Sequence, residues 1–230
     1  MRDAGHDDSI NDSGSSSRVY LFEDVEIKID GCGLVFEEIA WSEGYHFVAG
    51  VDEVGRGCLA GPVVAAACVL DRAKSLPEGL NDSKQVEREK REDIAAQLKE
   101  ICPAIGVGIV DADEIDRINI LEATKLAMRK AIVGLAPAAD YILVDAVQLK
   151  GMTVPQRSII KGDSVSASIA AASILAKTFR DALMHSYHAE YPHYGFAEHV
   201  GYATKTHRTA LQAHGPCPLH RRSFRGVIIE

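Results

Sequence analysis

The 230-residue chain has no apolar run near the ~20 residues needed to span a bilayer; the stretch Pro62–Leu70 is only strand-sized. Its five cysteines (Cys32, Cys58, Cys68, Cys102 and Cys217) include no C-x-x-C pair. That spacing argues against a zinc ribbon or a disulfide scaffold and suits reduced thiols in a reducing compartment. Positive charge is also short: 25 Lys and Arg face 33 Asp and Glu, a formal net charge of −8. Such a balance would ordinarily exclude a nucleic-acid binder, which needs cations to neutralise phosphates. The placement of the charges removes that objection, because the first 45 residues carry 3 basic and 11 acidic side chains and the remainder is neutral. The last stretch, 200–230, sets Lys205, Arg208, Arg221, Arg222 and Arg225 against Glu230 alone, a basic tail that could meet phosphates. An N-terminus this acidic does not read as a signal peptide, so the expected location is the cytoplasm.

What is present is ordinary globular material, 47% hydrophobic and 25% charged. Residues 1–18 are Ser/Asp-rich and too polar to offset the entropy of ordering, so disorder is expected there. Residues 19–45 form an extension in which Phe36–Gly44 reads as a short helix, and the domain proper is expected over 46–230. Phe47–Asp52 and Pro62–Leu70 read as adjacent strands, with Ile105–Val110 and Tyr141–Val144 as further buried ones. Helices are expected over Val86–Glu100, as one or two pieces over Asp113–Leu135, and over Val165–Tyr187. In the last of these Ile169, Ala172, Ala176, Phe179, Leu183 and Tyr187 form the apolar face, and Lys177 and Arg180 fall elsewhere on its surface. Strands alternating with helices predict an α/β domain with a mixed sheet flanked by helices.

The chemistry concentrates in Val48–Pro62, VAGVDEVGRGCLAGP, where a strand ends in Asp52 and Glu53 before a glycine turn. Three readings compete. The acids can be a solvated strand end with a plain turn. Gly55–Ala60 also fits the G-x-G-x-x-A dinucleotide fingerprint, but that fingerprint opens a helix, and Pro62-Val63-Val64 reads as a strand. The third reading is a phosphodiesterase whose carboxylates hold two hard divalent cations. It requires more acids: Asp145 ends a strand that could lie parallel beside Asp52, and Asp163 precedes the long helix. Each has a plainer role, Asp145 as a loop residue and Asp163 as a helix cap. Neighbours on a strand also face opposite ways, so Asp52 and Glu53 share a site only if the strand ends or bends there.

The sequence resembles the type 2 ribonuclease H family, ribonuclease HII, from about Val48 to Phe224. The matching segments include GVDEVGRG (50–57), AGPVVAAA (60–67), LNDSK (80–84), LVDA (143–146), KGDS (161–164), IAAASILAK (169–177), HVGYATKTH (199–207) and HRRSF (220–224). The resemblance implies a ribonuclease H-like fold with a helical C-terminal part. It implies Asp52, Glu53, Asp145 and Asp163 as catalytic ligands of a two-metal Mn²⁺ or Mg²⁺ site. It further implies endonucleolytic hydrolysis of the RNA strand of RNA–DNA hybrids and cutting 5′ of ribonucleotides embedded in duplex DNA, leaving 3′-hydroxyl and 5′-phosphate ends. Gly55, Arg56 and Gly57 match the turn that recognises the ribose 2′-hydroxyl, and Tyr202 the tyrosine that packs on the junction sugar. Arg56, Lys84 and the basic tail are candidate phosphate contacts. The expected partners are these nucleic acids, met by a monomer with no membrane.

Three positions depart from the family pattern: Val200 and Gln85 stand where lysines are usual, and Cys58 where proline is common. The two lysine losses bear on phosphate affinity and leave the carboxylates alone. His185-x-x-His188 would sit at i, i+3 on a helix, a spacing that zinc can use, although no nearby Cys or Glu completes a set. The reading from a different class is a catalytically silent hybrid-binding module.

Overall fold

The computed structural model describes residues 16–22, 25–30 and 32–228. Most of the tail expected to be disordered, residues 1–15, lies outside that range. Ser16–Phe22 (β1) pairs antiparallel with Val25–Asp30 (β2). Helix α1 (Val35–Ser42) follows, then β3 (Val48–Val54) and β4 (Val63–Val69), the two adjacent strands that the apolar runs predict. The chain continues through α2 (Arg88–Ile101), β5 (Ala104–Val110), α3 (Ala112–Ile118) and α4 (Ile120–Val133). Then come β6 (Tyr141–Asp145), β7 (Gln156–Ile159), α5 (Ala167–Glu190), α6 (Phe196–His199) and α7 (Lys205–His214). The expected helical stretch over 113–135 is two helices because Asn119 takes a left-handed φ of 69°. Its side chain there accepts from the Leu121 and Glu122 amides and starts α4 afresh.

Five strands make one mixed sheet in the order β5-β4-β3-β6-β7. Strands β3, β6 and β7 are parallel, and β4 and β5 are antiparallel to their neighbours. One face is closed by α3 and α4 through Ile115, Ala127, Met128 and Ala131. The other is closed by α2 and α5 through Ile94, Leu98, Ala171 and Ile174. A separate cluster of Leu59, Met184, Phe196 and Leu211 joins α5 to the C-terminal helices. Helix α5 comes very close to β3. A Cβ added at Gly50 would stand 2.0 Å from the Ser168 carbonyl carbon, so only glycine fits there.

The N-terminal extension is built into this layer. Gly33 bridges the start of α5, its amide donating to Val165 O (3.3 Å) and its carbonyl accepting from the Ala167 amide (2.8 Å). Two residues into α1, Glu37 is fully buried, and its Oε1 accepts from Ser166 Oγ, the Ser168 amide and Ser168 Oγ at 2.6–2.8 Å. A carboxylate suits a helix N-terminus, where backbone amides lack partners. Glu37→Ala should therefore lower stability by about 3 kcal/mol, because it strands a buried amide and two hydroxyls, whereas Glu37→Gln, which keeps an acceptor, should cost less. Denaturant unfolding of the two variants checks that order.

Candidate active site

The parallel register pairs Val51 with Val144, which places Asp52 and Asp145 next to each other at the carboxyl ends of β3 and β6. Ligands of α/β sheets bind at such strand ends. Strand β3 runs one residue past Glu53 and stays paired with β4 to its end, so the expected bend at Asp52 and Glu53 is absent, yet the Glu53 charge still acts on both Asp52 and Asp145. Asp52 is buried on the α5 side beside Ser173, and its Oδ1 accepts from the Glu53 amide at 2.7 Å. Asp145 accepts from the Gly162 amide at 2.8 Å, which ties β6 to the turn carrying Asp163. The capping role open to Asp163 falls to Ser166, whose hydroxyl receives the Ile169 amide at the start of α5. Asp163 instead faces Lys84, at 3.9 Å.

These carboxyls feel one another. Burial, then the charges of Glu53 and Asp145, hold the Asp52 carboxyl well above the ordinary range. Burial also raises Glu53, against the opposing pull of Arg56 at 3.2 Å and of Lys84. Asp145 is raised by burial and by Glu53 and Asp82, and Asp163 is pushed up to about 6 by burial, Asp82 and Asp145. Burial works against the charge of Lys84, but Asp82, Asp163 and Asp52 outweigh it and raise its pKa. Carboxyls that stay raised although Arg56 and Lys84 oppose the shift make a site short of positive charge. Asp82, within the LNDSK segment, is a fifth carboxylate that sequence reasoning missed. It folds back on its own loop and takes the Lys84 amide at 2.9 Å.

The donors are all carboxylate oxygens, which suits hard divalent cations. Glu53 Oε2 is buried without a hydrogen-bond partner, the kind of orphaned acceptor that a cation would satisfy. As the side chains stand, Asp52 and Asp145 are turned to amides and Asp163 to Lys84, and among the described residues no three His, Cys, Asp or Glu groups close on one point. The set fits a divalent ion in donor chemistry, with side-chain rotation needed to enclose it.

Beside the acids lies a cleft of about 330 Å³ lined by Glu53, Gly55, Arg56, Gly57, Lys84 and Tyr202. Every residue matched to substrate contact thus shares one cavity with one of the acids. Ser83 and Lys177 line it too. Sequence reasoning missed Lys177 as a cleft residue because helical periodicity reports only which residues avoid the apolar face. In the structure it bonds Asp181 at 2.8 Å and stands 5.7 Å from the Tyr202 ring centre. The dinucleotide reading fails here, since the Gly55–Ala60 turn leads into β4 and no helix opens after it.

The family model described as Ribonuclease HII matches residues 49–227 of this chain. The chain belongs to the ribonuclease HII family. A ribonuclease HII of Caldanaerobacter subterraneus is 52% identical over 195 residues, covering 85% of this chain and 80% of that protein. Among solved structures, the ribonuclease H2 of Pyrococcus horikoshii OT3 superposes with a TM-score of 0.65 at 29% identity, covering 79% of this chain and 95% of that one. Bst-RNase HIII, solved in complex with Mn²⁺, superposes with a TM-score of 0.60 at 25% identity, over 79% of this chain and 68% of that one.

Two sequence expectations need correction. Arg180 is not on the surface of α5 and Arg221 is not a free part of the basic tail: both are fully buried. The His185–His188 pair is not a shared ligand set either, since His185 bonds the Asp181 carbonyl and Arg88 Nη1. Of the two departures from the ribonuclease HII lysines, Gln85 leans on Asp82 at 3.5 Å, and Val200 takes a left-handed φ of 43°.

Tyr202 is anchored by histidines. Its carbonyl accepts from His207 Nδ1 at 2.8 Å, His207 Nε2 meets His220 Nε2 at 3.0 Å, and His220 Nδ1 takes the Cys217 amide at 3.0 Å. Carbonyl and amide at the two ends fix the direction of the chain: His207 donates through Nδ1 and accepts through Nε2, and His220 donates through Nε2. Each imidazole is therefore neutral. Burial pushes both pKa values down to about 4. A base with a depressed folded pKa loses stability as pH falls, here from about 6.5 to about 4. The melting temperature should drop through that window, and the drop should be smaller in His207→Gln; thermal melts from pH 7.5 to 4.5 check this.

Proposed function

We propose that this protein is an endoribonuclease that hydrolyses the RNA strand of RNA–DNA hybrids and cuts duplex DNA on the 5′ side of an embedded ribonucleotide. The products would carry 3′-hydroxyl and 5′-phosphate ends. One observation carries the reading: the acids Asp52, Glu53, Asp145 and Asp163, all raised by burial, gather at the ends of β3 and β6, and Glu53 lines a cleft that also holds the Gly55–Gly57 turn, Lys84 and Tyr202.

The four acids would hold Mg²⁺ or Mn²⁺, which when bound supplies an activated water and charge stabilisation at the leaving 3′-oxygen. The rest of the work falls to the chain. Gly57 admits the sugar because no side chain stands there; a Cβ built on it would meet nothing within 4 Å, so the space in front of it is open. A 2′-hydroxyl is what separates RNA from DNA at one position, and backbone amides at such a turn can read it. Arg56 and Lys84, both exposed beside buried acids, are placed to take phosphate oxygens. Tyr202, 38% exposed, offers a ring face to the adjacent sugar.

The test is a labelled DNA duplex with one ribonucleotide, incubated with the protein and Mn²⁺, Mg²⁺ or EDTA beside an all-DNA control. Cutting 5′ of the ribonucleotide alone, present with metal and lost with EDTA, supports the reading. Binding without cutting under either metal replaces it with the silent hybrid-binding module.

A further inference from the structure

A buried guanidinium ordinarily pairs with a carboxylate, because an uncompensated charge in the interior is costly. Among the described residues, Arg180 and Arg221 form no ion pair. They spend their donors on main-chain carbonyls. Arg221 donates to Gly55 O (2.7 Å), Arg56 O (2.9 Å) and, through two nitrogens, Gly61 O (2.9 and 3.0 Å). Arg180 donates to Ala60 O (3.1 Å), Pro62 O (2.9 Å) and Val200 O (2.8 Å). Burial lowers the pKa of Arg221 to about 10, which leaves it charged at neutral pH.

The consequence follows from peptide planarity. In a trans peptide, the carbonyl of one residue and the amide of the next point in opposite directions. Arg221 draws the Gly55 and Arg56 carbonyls inward, so the amides of Arg56 and Gly57 are turned outward. Neither amide donates to any acceptor among the described residues. The turn thereby presents donors outward, at the cleft it lines, with a buried positive charge behind them, a local field suited to hydroxyl and phosphate oxygens. The spacing is tight as well. A Cβ at Gly55, whose φ is +90°, would lie 2.3 Å from Arg180 Nε.

The side chain of Arg180 and the main chain around Leu59 lock this turn to the segment bearing Tyr202. Arg180 holds the carbonyl of Val200, and the Leu59 amide donates to Gly201 O at 2.9 Å while the Arg221 amide donates to Leu59 O at 2.9 Å. A β-branched residue at positive φ is strained and persists only where its surroundings over-determine it. Val200 shows that this junction is held that firmly.

We propose that Arg221 and Arg180 are positioning residues for ribonucleotide discrimination: Arg221 aims the amides of the Gly55–Gly57 turn into the cleft, and Arg180 fixes the distance from that turn to Tyr202. The proposal rests on the endoribonuclease reading. A duplex with one ribonucleotide offers one 2′-hydroxyl in one register, so it depends fully on this geometry. A long hybrid offers many registers and depends on it less.

The test compares kcat/KM of wild type and Arg221→Lys on both substrates with Mn²⁺, alongside thermal unfolding. Lysine keeps the charge but lacks the planar fork. A misplacement of about 1 Å costs on the order of 10²-fold, so that loss is expected on the single-ribonucleotide duplex, with less than about tenfold on the hybrid. Equal losses on both substrates, or none on either, overturn the proposal. If Arg221→Lys does not fold, Arg180→Lys carries the same comparison and the same outcomes. Failure of wild type on both substrates overturns the underlying reading and the proposal with it.

Discussion

Asp52→Asn is expected to lower cleavage of a ribonucleotide-containing duplex by at least about 10³-fold while the metal-free protein melts no lower than wild type, and even somewhat higher. The activity loss follows from removing a donor at the point where β3 and β6 deliver neighbouring carboxylates. The stability gain follows from linkage. Burial and the charges of Glu53 and Asp145 raise the folded pKa of Asp52 above its unfolded value. An acid raised in this way binds its proton more readily when folded, so above that pKa its ionised form opposes folding. Asparagine cannot ionise. Divalent metal should invert the order, because an ion held only by the folded state raises its stability by mass action. Melts of both proteins in EDTA and in Mn²⁺ check this: wild type should gain with metal and Asp52→Asn should gain much less. Equal gains would remove Asp52 from the ligand set.

The second large effect is expected at the two glycines that flank these acids, Gly50 and Gly57, where the same substitution should give opposite results. Gly50→Ala should cost about 3 kcal/mol or more, because the new methyl meets main-chain atoms of Ser168 and Ile169 at 2.0–2.3 Å, which no side-chain rotation can relieve. At roughly 2–4 °C per kcal/mol for a chain of this size, the melting temperature should fall by about 10 °C. Gly57→Ala meets nothing within 4 Å and has no positive φ to lose, so it should melt with wild type. Its methyl would stand in the cleft where the sugar is proposed to sit, and cleavage should fall while stability does not. Thermal melts and the cleavage assay, run on both variants, separate the glycine that holds the fold from the glycine that holds the site open.

The sheet is readable in the sequence because its central strands are nearly continuous apolar runs: Pro62–Leu70 predicts β4 within a residue at each end. The parallel neighbours β3 and β6 are readable for the same reason, and with them the juxtaposition of Asp52 and Asp145. Strand β7, Gln156–Ile159, leaves no such signal, since it is a four-residue edge strand and only Ile159 is buried. Helix α7 is unreadable for a different reason: one of its two buried residues is His207, which packs as a neutral ring among other rings and does not register as apolar. Arg180 misleads in the same direction. A charged residue on a helix is normally placed in water, and sequence alone does not reveal neighbouring loops that turn the Ala60, Pro62 and Val200 carbonyls toward it. The acids of the site are legible as residues, but their common position depends on the Gly162 amide reaching Asp145, a tertiary contact.

The clamp that Gly33 and Glu37 place on the start of α5 also decides where this protein can be cut. The family match spans 49–227, and a boundary drawn from it would discard α1 entirely. A chain trimmed to that limit would keep Asp52, Glu53, Asp145 and Asp163 and the whole cleft. It would lose the group that receives the Ser168 amide, and with Gly33 the acceptor of the Ala167 amide, three residues beyond the end of the Asp163 turn. A fragment that keeps these contacts therefore begins no later than residue 33, and truncated chains or domain fusions that start after it would carry the motifs without the support beneath them.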